Sequence, residues 1–227
     1  AAIDVARERA RRAGVAARAR LRVVNANEMP IEGPLDLIVF EQSLHHVDAL
    51  GEVLDRCARA LADDGWLVIN EYVGPDRFQW SDEAERLMNA ILDRLPAGHR
   101  LHPDSGEPKL RMQRIDPQAV IALDPSEAIH SADILAALLQ RFDCVESRPF
   151  GGTLLQFLLA DIAANFDPDN ARDVALLRLM SLLEAELVRC GAIGRRKAWP
   201  GTGIEGFARG GDRLGGVGSG AERRLAD

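Results

Sequence analysis

Two short apolar runs with a helical stretch between them constrain this chain most. Leu35 to Phe40 is almost continuously apolar, and Trp66 to Ile69 repeats the pattern and continues to about Val73. A run without polar alternation fits a parallel strand covered on both faces. Between the runs, Leu50, Val53, Leu54, Cys57 and Leu61 share one helical face. Asp48 stands at the helix entry as a cap, and Asp63-Asp64-Gly65 marks a turn. Parallel strands need a crossover, and a helix supplies it.

The alternation continues on both sides. Ile3, Ala6, Ala10 and Ala13 recur at helical spacing, with Gly14 as a stop. Leu21-Arg22-Val23-Val24 reads as a short strand ending at Asn25. Ser81 caps a helix with Asp82 and Glu83 in its first turn and Leu87, Met88, Ile91, Leu92 and Leu95 on its apolar side; Pro96 ends it. Residues 97–115 are polar and turn-rich, as in a loop or lid. Asp124-Pro125-Ser126-Glu127 has the order of a helix start: cap, proline, acid. Val145 and Phe150 flank an extended segment that Gly151-Gly152 breaks, and helices follow at about 154–165 and 170–190. Strands alternating with helices predict an α/β fold on a parallel sheet. Ligands of such sheets bind beyond the carboxyl ends of the strands, which directs attention to residues 25–27, 41–43 and 71–73.

Composition narrows the function. With 47% apolar and 28% charged residues the chain is globular, and it holds no apolar run long enough for a membrane helix. A net charge of −7 argues against nucleic acid or an anionic membrane surface as partner. The three cysteines, Cys57, Cys144 and Cys190, form no C-x-x-C pair and no disulfide framework, which fits a reducing cytoplasm.

Both ends depart from this pattern. The first residue is Ala, and the opening helix lacks a capping residue, so a preceding segment is expected. Residues 191–227 hold 11 of the 20 glycines and carry +3, against −10 for the rest. Such a segment is expected to form a disordered tail. With 26 Arg against two Lys, a shifted frame of a GC-rich gene is another source of a Gly- and Arg-rich ending.

Four stretches together resemble a class I S-adenosylmethionine-dependent methyltransferase. They are Val24-Asn25-Ala26-Asn27-Glu28-Met29-Pro30, the run Leu35 to Val47 with its Glu41-Gln42-Ser43-Leu44-His45-His46, the run Ala60 to Glu71, and Tyr72 to Trp80. The last is similar to a narrower group of bacterial methyltransferase-domain proteins. The likeness spans about residues 1–150. It implies a Rossmann-like methyltransferase sheet with helices on both faces, N-terminally truncated, and a helical C-terminal part. The expected division is a partial methyltransferase domain over 1–150 with a loop and helical lid at 97–142, helices over 151–190 packed on it, and the tail over 191–227.

The resemblance implies S-adenosyl-L-methionine as cofactor and a small molecule as methyl acceptor. Asn25 and Ala26 match the positions that meet adenine, with Asn in place of the usual Asp; the bland reading of Asn25 is a strand-ending turn residue. Phe40, Glu41 and Gln42 match the region beside the methionine part, although Phe40 also suits core packing. His46 suits a general base near neutral pH or a structural helix entry. Glu71 and Tyr72 follow the next strand and are candidate catalytic residues facing the substrate. Arg77 either holds an anionic acceptor group or is a solvated arginine. Trp80 either shields the sulfonium or forms a hydrophobic staple before Ser81. Glu127 reads as a capping acid. No metal is expected, because adjacent histidines on a connection point in different directions.

The departures are also specific. The family's glycine-rich loop after its first strand and the acid after its second strand have no counterpart here. Its sheet order is 3-2-1-4-5-7-6, and the apolar closing strand that should follow residue 190 is not apparent. Methyl transfer is therefore expected to be impaired in this chain alone; the competing reading is a catalytically inactive methyltransferase-like interaction module. A nicotinamide dehydrogenase fits poorly, since Asp76 stands where a Tyr-x-x-x-Lys pair would place lysine after Tyr72.

Overall fold

The computed structural model describes residues 2–149, 151–193 and 202–209. Helix α1 (Ala2–Arg12) opens the chain. Gly14 at φ +69° ends it. The Gly14 N–H bonds the Arg11 carbonyl and the Val15 N–H that of Ala10. That is the Schellman pattern, which glycine adopts without the Cβ penalty of other residues.

Strand β1 (Leu35–Glu41), helix α2 (Leu50–Ala60) and strand β2 (Leu61–Tyr72) form the predicted crossover, with β1 and β2 parallel. The ladder runs from Leu37↔Trp66 to Glu41↔Asn70, while Leu35 pairs with Leu61, so residues 62–65 are looped out where the turn was expected. Helix α2 buries Leu50, Val53, Leu54 and Cys57 as its spacing predicts. Each such side chain contributes about 1.5–3 kcal/mol relative to exposure. The cap differs from expectation. Ala49 occupies the N-cap position, and its N–H is satisfied by Asn27 Oδ1 at 2.9 Å rather than by Asp48.

Helix α3 (Asp82–Leu92) starts as predicted, with Ser81 Oγ accepting from the Ala84 N–H. The next helix starts one capping pattern earlier than the sequence predicts. Helix α4 (Pro117–Leu123) begins at Asp116-Pro117, where Asp116 accepts from the Gln118 N–H. Asp124 to Glu127 instead forms a turn, closed by Asp124 Oδ1 accepting from the Ser126 N–H and hydroxyl. Both sites have a capping acid and a proline, but only the first leads into a run that continues as helix. Helix α5 (Ile134–Leu139), strand β3 (Phe142–Pro149), the short α6 (Leu155–Leu158) and the long α7 (Ala171–Arg189) follow.

Strand β4 (Thr202–Arg209) corrects the sequence reading of the tail. It lies between β2 and β3, antiparallel to both, and gives the sheet order β1-β2-β4-β3. Glycine-rich sequence disguised this strand because composition reports what a side chain can bury, whereas β4 is held by backbone ladders on both edges. The rest of the expected tail, 194–201 and 210–227, lies outside the described residues.

Two further expectations fail for related reasons. Residues 21–24 form no strand. A strand needs a ladder partner, and among the described residues β1 is paired on one edge only. Nor are β1 and β2 covered on both faces: Leu37 and Val39 of β1 and Trp66 of β2 are 55%, 53% and 43% exposed. The core under the sheet gathers on the opposite face, where Leu54, Leu67, Ile69, Ile134, Leu138 and Phe142 pack with α2 and α5. A second core joins Trp80, Met88, Leu92, Leu154, Leu158 and Met180 from α3, α6 and α7. No helix among the described residues is long and apolar enough to cross a membrane.

Candidate functional site

The carboxyl ends of β1 and β2 are tied to each other side by side. The Gln42 N–H bonds the Asn70 carbonyl at 2.8 Å, and its side-chain amide reaches the same oxygen at 3.1 Å. Asn70 Nδ2 donates to Glu41 Oε1 at 2.8 Å. Gln42 sits at φ +45°, a left-handed conformation that turns the chain sharply off the strand. The segment 25–27 joins this end of the sheet through Asn27, which binds the first turn of α2, while the Arg56 guanidinium donates to the Asn27 carbonyl at 2.6 Å. Asn25, Ala26, Glu41 and Gln42 are exposed there. Asn25 Oδ1 accepts from the Asn27 N–H, the turn role weighed above. Phe40 packs against the core under the sheet.

Glu71 organises the next layer. Its side chain is fully buried. One carboxylate oxygen accepts from the N–H groups of Ser43 and Leu44, each at 2.6 Å. The other lies 2.6 Å from His45 Nδ1. An ionised carboxylate only accepts, so Nδ1 of His45 is the donor in this contact and Nε2 is the ring nitrogen it leaves over. The strand-end acid thus fixes the loop after β1 and the tautomer of one imidazole.

His46 is fixed differently. Its Nδ1 lies 3.1 Å from Ser126 Oγ, whose hydroxyl donates to Asp124 Oδ1 at 2.7 Å. With that hydroxyl proton committed, Ser126 accepts from His46 Nδ1–H, and Nε2 is again the nitrogen left over. The turn carrying Ser126 and Glu127 is clamped in place. Arg77 donates from its guanidinium to the carbonyls of Glu127 and Pro125, each at 2.8 Å, and from its backbone to that of Ala128. The Ile129 N–H bonds the His45 carbonyl at 3.1 Å. Glu127 thereby faces both imidazoles, with 3.5 Å to His45 Nε2 and 4.0 Å to His46 Nε2.

The candidate residues therefore separate. Glu71 and His46 meet, but through His45, which the sequence reading passed over in favour of its neighbour. Tyr72 is not a free acid or base: it is buried, its hydroxyl donates to the Pro75 carbonyl at 3.0 Å, and burial pushes its pKa up. Trp80 is buried in the second core beside Phe157. Arg77 donates to carbonyls of the 125–127 turn and so holds the turn that carries Glu127. Glu127 is no capping acid. The only sequence signal for its role was a polar turn 80 residues from the histidines, which spacing alone does not connect to them.

The expectation that no metal is held here rested on the two histidines diverging. The structure overturns that premise: one ligand atom from each of His45, His46 and Glu127 lies within 4.8 Å of the others. A cleft of about 610 Å³ between α3 and residues 110–114 is lined by charged side chains and contains none of these residues.

Known proteins resemble the chain as follows. Residues 1–69 match the family model described as a methyltransferase domain. No curated protein matches. Among solved structures, a geranyl diphosphate methyltransferase in complex with SAM shares 17% identity at a TM-score of 0.47, covering 92% of this chain and 64% of that one. The geranyl diphosphate C-methyltransferase from Streptomyces coelicolor A3(2), in complex with Mg2+, geranyl diphosphate and S-adenosyl-L-homocysteine, shares 14% at 0.47, covering 92% and 61%. The [4+2]-cyclase SpnF shares 13% at 0.44, covering 91% and 62%. The chain thus spans a little over three fifths of the length of these structures.

Proposed function

We propose that this chain, whose residues 1–69 belong to the methyltransferase-domain family, serves S-adenosylmethionine-dependent methyl transfer to a small-molecule acceptor. The carrying observation is the fixed end of the β1–β2 pair. Gln42, Glu41 and Asn70 lock the two strand ends together, and Glu71 holds the following loop by two backbone N–H groups. Ligands of open α/β sheets bind at that end. A sulfonium donor already carries an activated methyl group, so the protein's task is chiefly to orient donor and acceptor in line.

In this reading the exposed carboxylate of Glu41 and amide of Gln42 face the methionine part of the donor, and Asn25 and Ala26 face the adenine. Weak affinity is expected of the chain by itself, because Asn25, Ala26, Glu41 and Gln42 all lie exposed to water. Saturation-transfer NMR with millimolar S-adenosylmethionine tests this, since it detects weak binding. Signal on the adenine protons is expected, displaced by S-adenosylhomocysteine and reduced in Glu41→Gln and Gln42→Ala. No displaceable signal at that concentration refutes the reading; micromolar affinity by calorimetry refutes the impairment.

A further inference from the structure

We propose that His45, His46 and Glu127 form a binding site for a divalent first-row transition-metal ion such as Zn2+, Mn2+ or Co2+. The hydrogen bonds described above engage both Nδ1 atoms and leave both Nε2 atoms facing the Glu127 carboxylate. One ligand atom from each of the three residues lies within 4.8 Å of the others, and with both imidazoles neutral, the form that binds a metal, all three offer lone pairs. The separations of 3.5 and 4.0 Å are too long for a hydrogen bond between imidazole and carboxylate. The 3.5 Å separation, to Oε1, is close to the roughly 3.4 Å between donors about 2.1 Å from a tetrahedral centre; the 4.0 Å one is to the other carboxylate oxygen, Oε2, so a shared ion would draw His46 and the carboxylate slightly together.

The surroundings are those of a prepared site. Metal-binding histidines generally donate their other ring N–H to a carboxylate or a comparable acceptor. Here His45 donates to buried Glu71, and His46 to Ser126 backed by Asp124. Arg77 and the Ile129 N–H fix the turn that presents Glu127. Two imidazoles and one carboxylate favour borderline ions over Mg2+ or Ca2+, which prefer all-oxygen sets. His46 and Glu127 are 33% and 27% exposed at the side chain, so a bound ion keeps positions open to water or to an oxygen of a small molecule. This site stands apart from the donor reading: it requires no S-adenosylmethionine.

Titration of the metal-free full chain with Co2+, followed by visible absorption, tests the site. One equivalent is expected to bind, with d–d bands of a four- or five-coordinate nitrogen and oxygen environment, and excess Zn2+ should remove them. His46→Gln and Glu127→Gln should each weaken binding on the order of 100-fold, at or above the loss typical of an outer partner. Both side chains are partly exposed, so their variants keep the buried Glu71 contacts, and circular dichroism checks that they fold. His102→Gln, remote in the 97–115 loop, should bind as the parent does. Absence of the bands, or binding that survives both His46→Gln and Glu127→Gln, overturns the proposal.

Discussion

Replacing Glu71 by Gln keeps the shape of the side chain and removes the charge on which three hydrogen bonds converge. The Ser43 and Leu44 N–H groups and His45 Nδ1 all lie 2.6 Å from its carboxylate. Hydrogen bonds to charged groups contribute about 1.5–3 kcal/mol and neutral ones about 0.5–1.5. Losing roughly 1 kcal/mol at each of three bonds predicts a destabilisation of about 2–4 kcal/mol. For a domain of this size that lowers the thermal midpoint by roughly 4–16 °C. The amide also presents a donor to His45 Nδ1, which forces the proton onto Nε2 and closes that lone pair to a metal. Glu71→Ala goes further, because it leaves the buried Leu44 N–H and the part-buried Ser43 N–H without that acceptor. Urea unfolding followed by fluorescence should therefore rank parent above Gln above Ala. A Gln variant within about 0.5 kcal/mol of the parent, the range of ordinary surface changes, would refute the reasoning.

Other outcomes follow from the same coordinates. Leu54→Ala, at a fully buried site under the sheet, should cost about 2–5 kcal/mol by denaturant unfolding. Glu184 of α7 accepts from the N–H groups of Gly152, Leu154 and Leu155, so Glu184→Ala should loosen the start of α6 and raise amide exchange there. Gly151→Ala should destabilise the same corner, since φ is +90° and the added Cβ would lie 2.6 Å from Glu184 Oε2. Burial pushes the Cys57 thiol up to about 11 from 9.0. A thiol reagent at pH 8 should therefore modify exposed Cys190 rapidly and Cys57 only on unfolding. Because the folded value is the higher one, Cys57 contributes stability fully below pH 9, and that contribution should fall as pH rises toward 11.

What the sequence disclosed was mostly local. The stripe of α2, the Ser81 cap and the Gly14 stop are each written within one or two turns, and the structure reproduces them. Apolar runs located β1 and β2 but not their solvent exposure, because covering a face depends on which helices lie over it. Asp124-Pro125-Ser126-Glu127 misled because a capping pattern also closes a turn, and only the sequence beyond it decides. In the site, Glu71 was legible as a strand-end residue. Its contact with His45 followed from β1 and β2 ending side by side. Glu127 was not legible, since its place depends on Arg77 clamping a turn some 50 residues away in the chain.

The place of β4 in the sheet has a consequence in time. β2 and β3 are not neighbours; each waits for the same late segment to fill the gap between them. At a synthesis rate of about 5–20 residues/s, the roughly 50 residues from the end of β3 to the start of β4 take about 3–10 s to emerge. Throughout that interval two strands present facing open edges, which any extended peptide of suitable length can enter. A nascent chain halted before Thr202 should therefore be a chaperone client, and one released beyond Arg209 should not.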